Sequence, residues 1–425
     1  MIFQCVVFQT LGEDVTVSGY VKEENYKMKE FKCRICEGVG NAQAYQTILK
    51  TNTPLAADVT EKPSPNMRRF PLHVVRCNCC GHVQLRESLD PSFYGDYLYT
   101  PSYASGFAEY IDWFVKRLGN EVTKEDRKVI EIGSSNGYLL NRLQKAGWTV
   151  LGVEPSETLA GKANSEGVKT FHGFFSKDTV DEIKSIIGQP DVLIFRHVME
   201  HLDDINDIAD AIKQLVGDGL LLIEVPYLRR IINENQFYAF FHEHLSYFSV
   251  TALNNLLSKA GLHIHRVLEN DLEGGSILIS ANCFDEIGGD DNVDEYLENE
   301  KLSLSDESIK AFVSRNNESI ETMRDMITKA KEEKKKVAAW GGGQRGCTLI
   351  SICGFQTKDI EYVIDVNKNY WDRYVPGTDI KIVSEDYYRS HPVDKIIIFA
   401  TGYANSIIAE HSDFIDAGGE FVKII

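Results

Sequence analysis

A chain of 425 residues is long enough for two or three domains, and its 43% hydrophobic and 10% aromatic content supplies ordinary globular cores. Its formal net charge of −18 repels a polyanion such as nucleic acid, and the basic run within Lys331–Lys336 ends a charged helix as a solvated face. No apolar run reaches the ~20 residues of a membrane span, and Met1–Phe8 lacks a basic start and a cleavage site, so the expectation is a cytoplasmic protein with neither nucleic acid nor membrane as a partner.

Residues 1–30 alternate apolar and polar side chains around Gly12 and Gly19, as a small hairpin does. Then come two C-x-x-C pairs, Cys33/Cys36 and Cys77/Cys80, with 77 − 36 − 1 = 40 residues between them. Two such knuckles present four thiolates tetrahedrally, the geometry of structural zinc; unliganded core cysteines or a redox pair are the alternatives. Cys79 is a spectator within the second pair. The intervening segment is polar and carries Pro54, Pro63 and Pro65, so a metal is expected to hold this module together. Tyr94, Tyr97, Tyr99, Tyr103 and Tyr110 follow in a turn-prone stretch. Each offers an apolar face and a polar tip to a sugar or nucleotide, or to a neighbouring domain.

From 120 to 265 the pattern alternates strand and helix: strands at 129–132, 149–153, 168–171, 191–195 and 219–224, helices at 138–146, 157–166, 177–187 and 205–216. This predicts a doubly wound α/β domain with function at the carboxyl ends of the strands. The first strand runs through Glu131 into the turn Gly133-Ser-Ser-Asn-Gly137, and Leu139, Leu140 and Leu143 open the helix after it. The second strand ends in Glu154, 154 − 131 = 23 residues beyond Glu131, a distance at which an acid accepts bonds from ribose hydroxyls. The turn lacks the middle glycine of a dinucleotide loop. Glu-x-Gly-x-x-x-Gly instead resembles motif I of class I S-adenosylmethionine-dependent methyltransferases, a glycine turn of an unrelated α/β domain being the alternative.

Two later strand ends carry reactive side chains: Arg196-His-Val-Met-Glu-His201, and Phe241-His-Glu-His244 beyond Tyr227. General acid–base work suits imidazoles beside carboxylates; a second metal site and simple helix capping are the other readings. Gly274-Gly275 forms a further ligand-sized turn. Residues 290–335 have apolar residues at helical spacing (Leu302, Ile309, Phe312, Ile320, Met323) and read as a connector. A second α/β unit begins at 336: a strand, the turn Trp340–Gly346 with Gly343 and Arg345, a strand Ile360–Ile364 ending at Asp365, and a strand Lys395–Ala400. Its turn can seat a nucleotide diphosphate on backbone amides, or the unit can be scaffolding. The expected divisions are 1–100, 101–290, 291–335 and 336–425.

The ordered set CRIC, NTPLA, CxxCG-HVQL, EIGSSNGYLL, GVEPS, RHVMEH, IEVPYL, FHEHLSYFS, EGGS, IEYVID and YVPGTDIKI resembles the three-domain sugar C-methyltransferases of deoxysugar biosynthesis, from about Cys33 to the C-terminus. The resemblance implies an N-terminal zinc domain held by Cys33, Cys36, Cys77 and Cys80, a class I methyltransferase domain, and a C-terminal Rossmann-like substrate domain. It implies S-adenosylmethionine held by Glu131, Gly133, Ser135, Asn136, Gly137, Glu154, Pro155 and His197. The substrate implied is a nucleotide-linked keto-deoxysugar, contacted by Tyr99, Tyr227, His242, Gly275, Gly343 and Arg345. His244 matches the general base, with Glu243, His201 and Tyr97 as its companions; the base removes a proton beside a ketone so that the carbon becomes nucleophilic. This chain has Phe241 where the family usually has tyrosine, Arg345 where it often has lysine, and Asn369–Tyr374 in place of a lysine-glycine. Phe241 keeps oxygen or nitrogen methylation, or a non-catalytic binding scaffold, as alternatives. The oligomeric state is not legible.

Overall fold

A computed structural model describes residues 26–27, 32–38, 44–89, 107–271, 274–284 and 292–424. The expected hairpin therefore lies outside the described residues except for Tyr26–Lys27, which pairs antiparallel with Ser88–Leu89. Tyr94, Tyr97, Tyr99 and Tyr103 also lie outside them.

An antiparallel sheet forms from β1 (Tyr45–Thr53), β2 (Phe70–Cys77) and β3 (Val83–Leu85), and the pair Ser246–Tyr247 adds at its edge beside β3. Its inward side chains, Ile48, Leu72, Val74, Val83 and Leu85, are buried. They share one core with Phe240, Phe312 and Leu349, so this module is fused to the rest of the molecule rather than appended to it.

The central sheet has seven strands: β4 (Lys128–Ile132), β5 (Thr149–Glu154), β6 (Thr170–His172), β7 (Val192–Arg196), β8 (Leu220–Pro226), β9 (His263–Asn270) and β10 (Ser276–Asn282). Their order is β9-β10-β8-β7-β4-β5-β6. The first five are parallel, and β10 runs antiparallel between β8 and β9. β4 and β7 are central and nearly continuous runs of buried aliphatics, because helices cover both faces. The sequence reading missed β9 and β10: β9 alternates burial like an edge strand and carries charged residues, so its period is weak. The expected helix from 177 begins at Val180. Ser176 and Thr179 close a capping box over a single tight turn, which delays the α-helix. This is the class I methyltransferase Rossmann-like architecture.

The helix Asp306–Glu332 begins at a capping Ser305 and buries Ile309, Phe312, Met323, Ile327 and Ala330 on one face. It leads into a five-stranded parallel sheet of β11 (Val337–Trp340), β12 (Tyr362–Ile364), β13 (Lys381–Val383), β14 (Lys395–Ile398) and β15 (Glu420–Lys423), ordered β13-β12-β11-β14-β15. Among the described residues no helix is long and apolar enough to cross a membrane.

Candidate active site

One cavity of ≈ 720 Å³ lies between the carboxyl ends of the parallel strands of the central sheet and those of the C-terminal sheet. The Gly133–Gly137 turn forms one end. Gly133 donates its N–H to the Val153 carbonyl (2.8 Å), and Gly137 donates to Ser134 (2.9 Å). Gly133 sits at φ +66°, where a Cβ would stand 2.4 Å from Val198 Cγ2, so the close approach of turn and neighbouring loop demands glycine.

Glu154 ends β5 and reaches back into this turn. Its carboxylate accepts the N–H of Ser135 (2.8 Å) and of Ser156 (2.9 Å). A carboxylate has about four acceptor positions, so two remain toward the cavity. Ser135, Asn136, Glu154, Pro155 and His197 line the cavity, as does Glu131. Burial pushes the Glu131 carboxyl up to about 8, and its Oε2 and the Ser135 Oγ are buried without a hydrogen-bond partner. A cationic amino group on a ligand would supply what Glu131 lacks. These orphaned atoms fit the amino-acid end of S-adenosylmethionine, with the Glu154 carboxylate free to take its ribose. Gly137 shapes the turn without lining the cavity; a Cβ there would press on Val168 at 3.0 Å.

At the waist of the cavity lie Glu200, His201, Phe241 and His244. The His201 and His244 rings meet edge to face, 4.9 Å between centroids. His201 donates its Nδ1–H to the Glu243 carbonyl (2.6 Å), which leaves Nε2 as its lone pair. Burial and the adjacent His201 hold His244 well below the ordinary imidazole range, so it is neutral, with a free lone pair, at neutral pH. The Phe241 ring lies tilted against His244, 4.2 Å between centroids, and brings no hydroxyl. Glu200, His201 and His244 also offer ligand atoms within 4.8 Å of one another, a spacing a divalent cation accepts.

Several sequence-assigned residues stand elsewhere. Glu243 is fully buried behind the cavity wall, where Oε1 accepts the Ala57 N–H (3.1 Å); it positions His201 through its carbonyl. His242 turns away from the cavity and meets the Pro71 carbonyl (3.1 Å). Tyr227 is a core residue whose hydroxyl donates to Glu300 (2.9 Å). Gly275 faces Arg230, and it is Gly274 that touches the cavity. Tyr97 and Tyr99 lie outside the described residues.

Gly343 and Arg345 line the far end, on the turn that follows β11. Sequence reasoning missed Asp365, Tyr370, Thr401 and Arg196, which also line the cavity. Asp365 was legible: it ends β12 as Glu154 ends β5. Arg196 was hidden because its role is structural. Nε donates to Glu224 (2.7 Å), whose other oxygen accepts from Tyr110 (2.6 Å).

Away from the cavity, Cys33 and Cys80 bring their sulfurs to 3.5 Å, Cys36 and Cys77 to 3.7 Å, and all four lie within 4.8 Å of one another. A tetrahedral metal with ~2.3 Å sulfur bonds has S···S edges of about 3.8 Å, so the array has the right size. The neighbouring Cys80 sulfur, then burial, push the Cys33 thiol well up.

Residues 103–267 match the family described as "Methyltransferase domain", and residues 271–425 match "C-methyltransferase C-terminal domain". C-methyltransferase NovU of Streptomyces niveus is 30% identical over 402 residues, covering 92% of this chain and 94% of its own. The chain belongs to this C-methyltransferase family. It is an S-adenosylmethionine-dependent methyltransferase. Among solved structures, magnesium protoporphyrin IX methyltransferase from Synechocystis PCC 6803 with bound S-adenosylmethionine is 17% identical, with a TM-score of 0.33 over 42% of this chain and 79% of its own. The PH0226 protein from Pyrococcus horikoshii OT3 is also 17% identical, with a TM-score of 0.34 over 45% of this chain and 98% of its own.

Proposed function

We propose that this C-methyltransferase acts on a nucleotide-diphosphate-linked keto-deoxysugar, with His244 as the base that forms the enolate. The observation that carries the reading is the single cavity with His244 at its waist, a cofactor-sized cradle at Gly133–Asn136 and a second glycine turn at Gly343–Arg345. S-adenosylmethionine, when bound, supplies an activated methyl group. His244, neutral because it is buried, takes a proton from the substrate carbon beside the ketone. His201, held by the Glu243 carbonyl, packs edge-on against His244 and fixes its ring. With Phe241 apolar, charge on the enolate oxygen falls to the cavity's remaining polar groups. Arg345 and the amides of its turn receive the diphosphate. Glu131 and Glu154 orient the methyl donor. Zinc bound by Cys33, Cys36, Cys77 and Cys80 ties the N-terminal loops to the sheet that carries them.

The test is mass spectrometry of reactions with S-adenosylmethionine and a panel of nucleotide-linked 4-keto-6-deoxysugars in deuterated water. One added methyl group, with deuterium exchange beside the ketone in the absence of methyl donor, is the expected result. A methylated product without such exchange in any keto-sugar overturns the enolate route.

A further inference from the structure

Proton abstraction by His244 puts a positive charge in a place poorly built for one. The substrate's C–H bond breaks, its electron pair passes to the enolate, and an N–H bond forms on the imidazole. Methylation of the enolate carbon then consumes the negative charge, and the imidazolium is left alone. Its surroundings disfavour it: burial, His201, Arg345 and His197 all hold the proton affinity of His244 down. A site that forms an imidazolium there on every turnover needs an anion within reach.

Glu200 stands where that anion is needed. It belongs to the tight turn Met199–His201 after β7, and two bonds tie this turn to the segment that carries His244. The Glu200 carbonyl accepts the Leu245 N–H (2.7 Å), and His201 donates its Nδ1–H to the Glu243 carbonyl (2.6 Å). A Glu200 carboxylate oxygen and one ring nitrogen each of His201 and His244 consequently lie within 4.8 Å of one another, a gap that one water molecule spans. Glu200 is 1% exposed and lines the cavity, and neither of its carboxylate oxygens has a hydrogen-bond partner. His197 Nδ1 stands 3.5 Å from Oε1, too far for a good hydrogen bond. A buried carboxylate left in this state is costly unless a partner arrives during function. Its charge already reaches the histidine pair: burial lowers the His201 imidazole, and Glu200 is the largest influence opposing that shift.

We infer that Glu200 is a positioning residue for the proton transfer: its carboxylate faces the imidazolium formed on His244, orients that ring and offsets its charge, without itself entering the bond changes. The inference rests on the role proposed above for His244 and adds the residue on which that role depends. An anion that steadies an imidazolium in a water-poor site lowers the barrier to forming it, which is the part the carboxylate plays in a serine–histidine–aspartate triad.

The test reads enolisation alone. Deuterium uptake beside the ketone is followed by mass spectrometry with the full-length, zinc-loaded protein saturated with S-adenosylhomocysteine, for each nucleotide-linked 4-keto-6-deoxysugar of the panel above. Glu200→Gln keeps the shape and loses the charge. In this variant uptake at saturating sugar is expected to slow about tenfold or more, while the half-saturating sugar concentration and the affinity for S-adenosylhomocysteine stay within twofold. Glu200→Ala should slow at least as far and then recover severalfold, saturably, on addition of formate, a carboxylate small enough for the vacated space. The Gln variant, with that space filled, should not respond. A merely structural Glu200 would give an Ala variant that formate does not restore. Where the Ala variant fails to fold, the isosteric Gln variant decides. Uptake in Glu200→Gln within twofold of the unmodified protein overturns the inference and leaves His244 standing. A second metal ion per chain that Glu200→Gln loses also overturns it, by assigning the carboxylate to a cation. Undiminished uptake in His244→Ala, or no uptake by the unmodified protein with any sugar, overturns the role of His244 and this inference together.

Discussion

Replacing Glu154 by Gln separates the turn-holding role of this carboxylate from the ribose contact proposed for it. Glu154 is 6% exposed and accepts the Ser135 and Ser156 amides, so part of its function is to hold the cofactor turn in shape. Gln offers one acceptor oxygen and sets an NH₂ group against the second amide. A buried amide left unpaired costs about 1–3 kcal/mol, so the cofactor-free protein should melt earlier. The proposed second job is a bond to the cofactor's ribose. A hydrogen bond to a charged acceptor contributes about 1.5–3 kcal/mol, a loss of about 10- to 150-fold in affinity. Calorimetric titration with S-adenosylhomocysteine at a temperature well below the variant's transition measures the second effect alone. A variant that melts earlier yet binds within twofold of the parent would show that Glu154 only anchors the turn. The ribose assignment would then be wrong.

Gly133→Ala places a Cβ 2.4 Å from Val198 Cγ2 at φ +66°. A loss of about 1–3 kcal/mol in stability is expected from thermal melts, with Val198→Ala in the same chain restoring the steric share but not the backbone share. His244→Ala should lower turnover ~10²- to 10⁴-fold in the methyl-transfer assay while the affinity for S-adenosylhomocysteine stays put; undiminished turnover removes His244 as the base. Metal analysis of the purified chain should find about one zinc per chain, absent in Cys36→Ser, and a metal-free, fully folded preparation would refute the zinc assignment. His242 is held neutral by burial, its pKa lowered from 6.5 to about 4. The unfolded state therefore binds the extra proton first, and stability falls as pH drops from about 6.5 to about 4. In His242→Gln, that acid limb should flatten by up to ~1.4 kcal/mol per pH unit in urea melts; an unchanged slope would mean His242 is charged in the fold.

The parallel strands and the cofactor turn were legible because each is a local signal: a buried run such as Val129–Ile132, a glycine where no Cβ fits, an acid at a strand end. The cysteine cluster was legible from spacing alone, since thiols 40 residues apart meet only if β1 and β2 pair as they do. What spacing did not reveal was direction. His242 and His244 are two residues apart, yet one faces the Pro71 carbonyl and the other the cavity, because the segment between them is an irregular turn set by Tyr247, which accepts the Phe241 amide. Tyr227 looked like a site residue at a strand end, but the buried Glu300 on a distant helix captures its hydroxyl. Glu243 failed in the same way: Ala57, 186 residues earlier in the chain, accounts for one of its oxygens. Those partners belong to other modules, and no local pattern announces them.

The fused core explains why His201 and His244 sit where they do. His244 lies on the segment that runs from Phe237 to Tyr247, and this segment's aromatics are buried jointly with the N-terminal sheet, the long helix and the C-terminal unit. Ser246 and Tyr247 add to β3. His201 comes from the loop after β7 of the central sheet and is tied to the segment through the Glu243 carbonyl. His244 is therefore gripped between the two halves of the cavity and belongs wholly to neither. A carbon to be methylated must meet the methyl group and lose its proton at one point in space, and an error of about 1 Å costs about 10²-fold in rate. Holding His244, the proposed base, on the element to which three modules pack fixes that point against both cradles at once. The same reasoning gives the cysteine cluster a catalytic consequence at a distance. Cys77 ends β2, whose neighbour β3 pairs with Ser246–Tyr247. Loosening the four sulfurs frees the end of the strand pair that supports His244. Loss of the metal should therefore depress turnover more than it depresses cofactor affinity, since the Gly133–Glu154 cradle is built on β4 and β5 and shares no strand with that sheet.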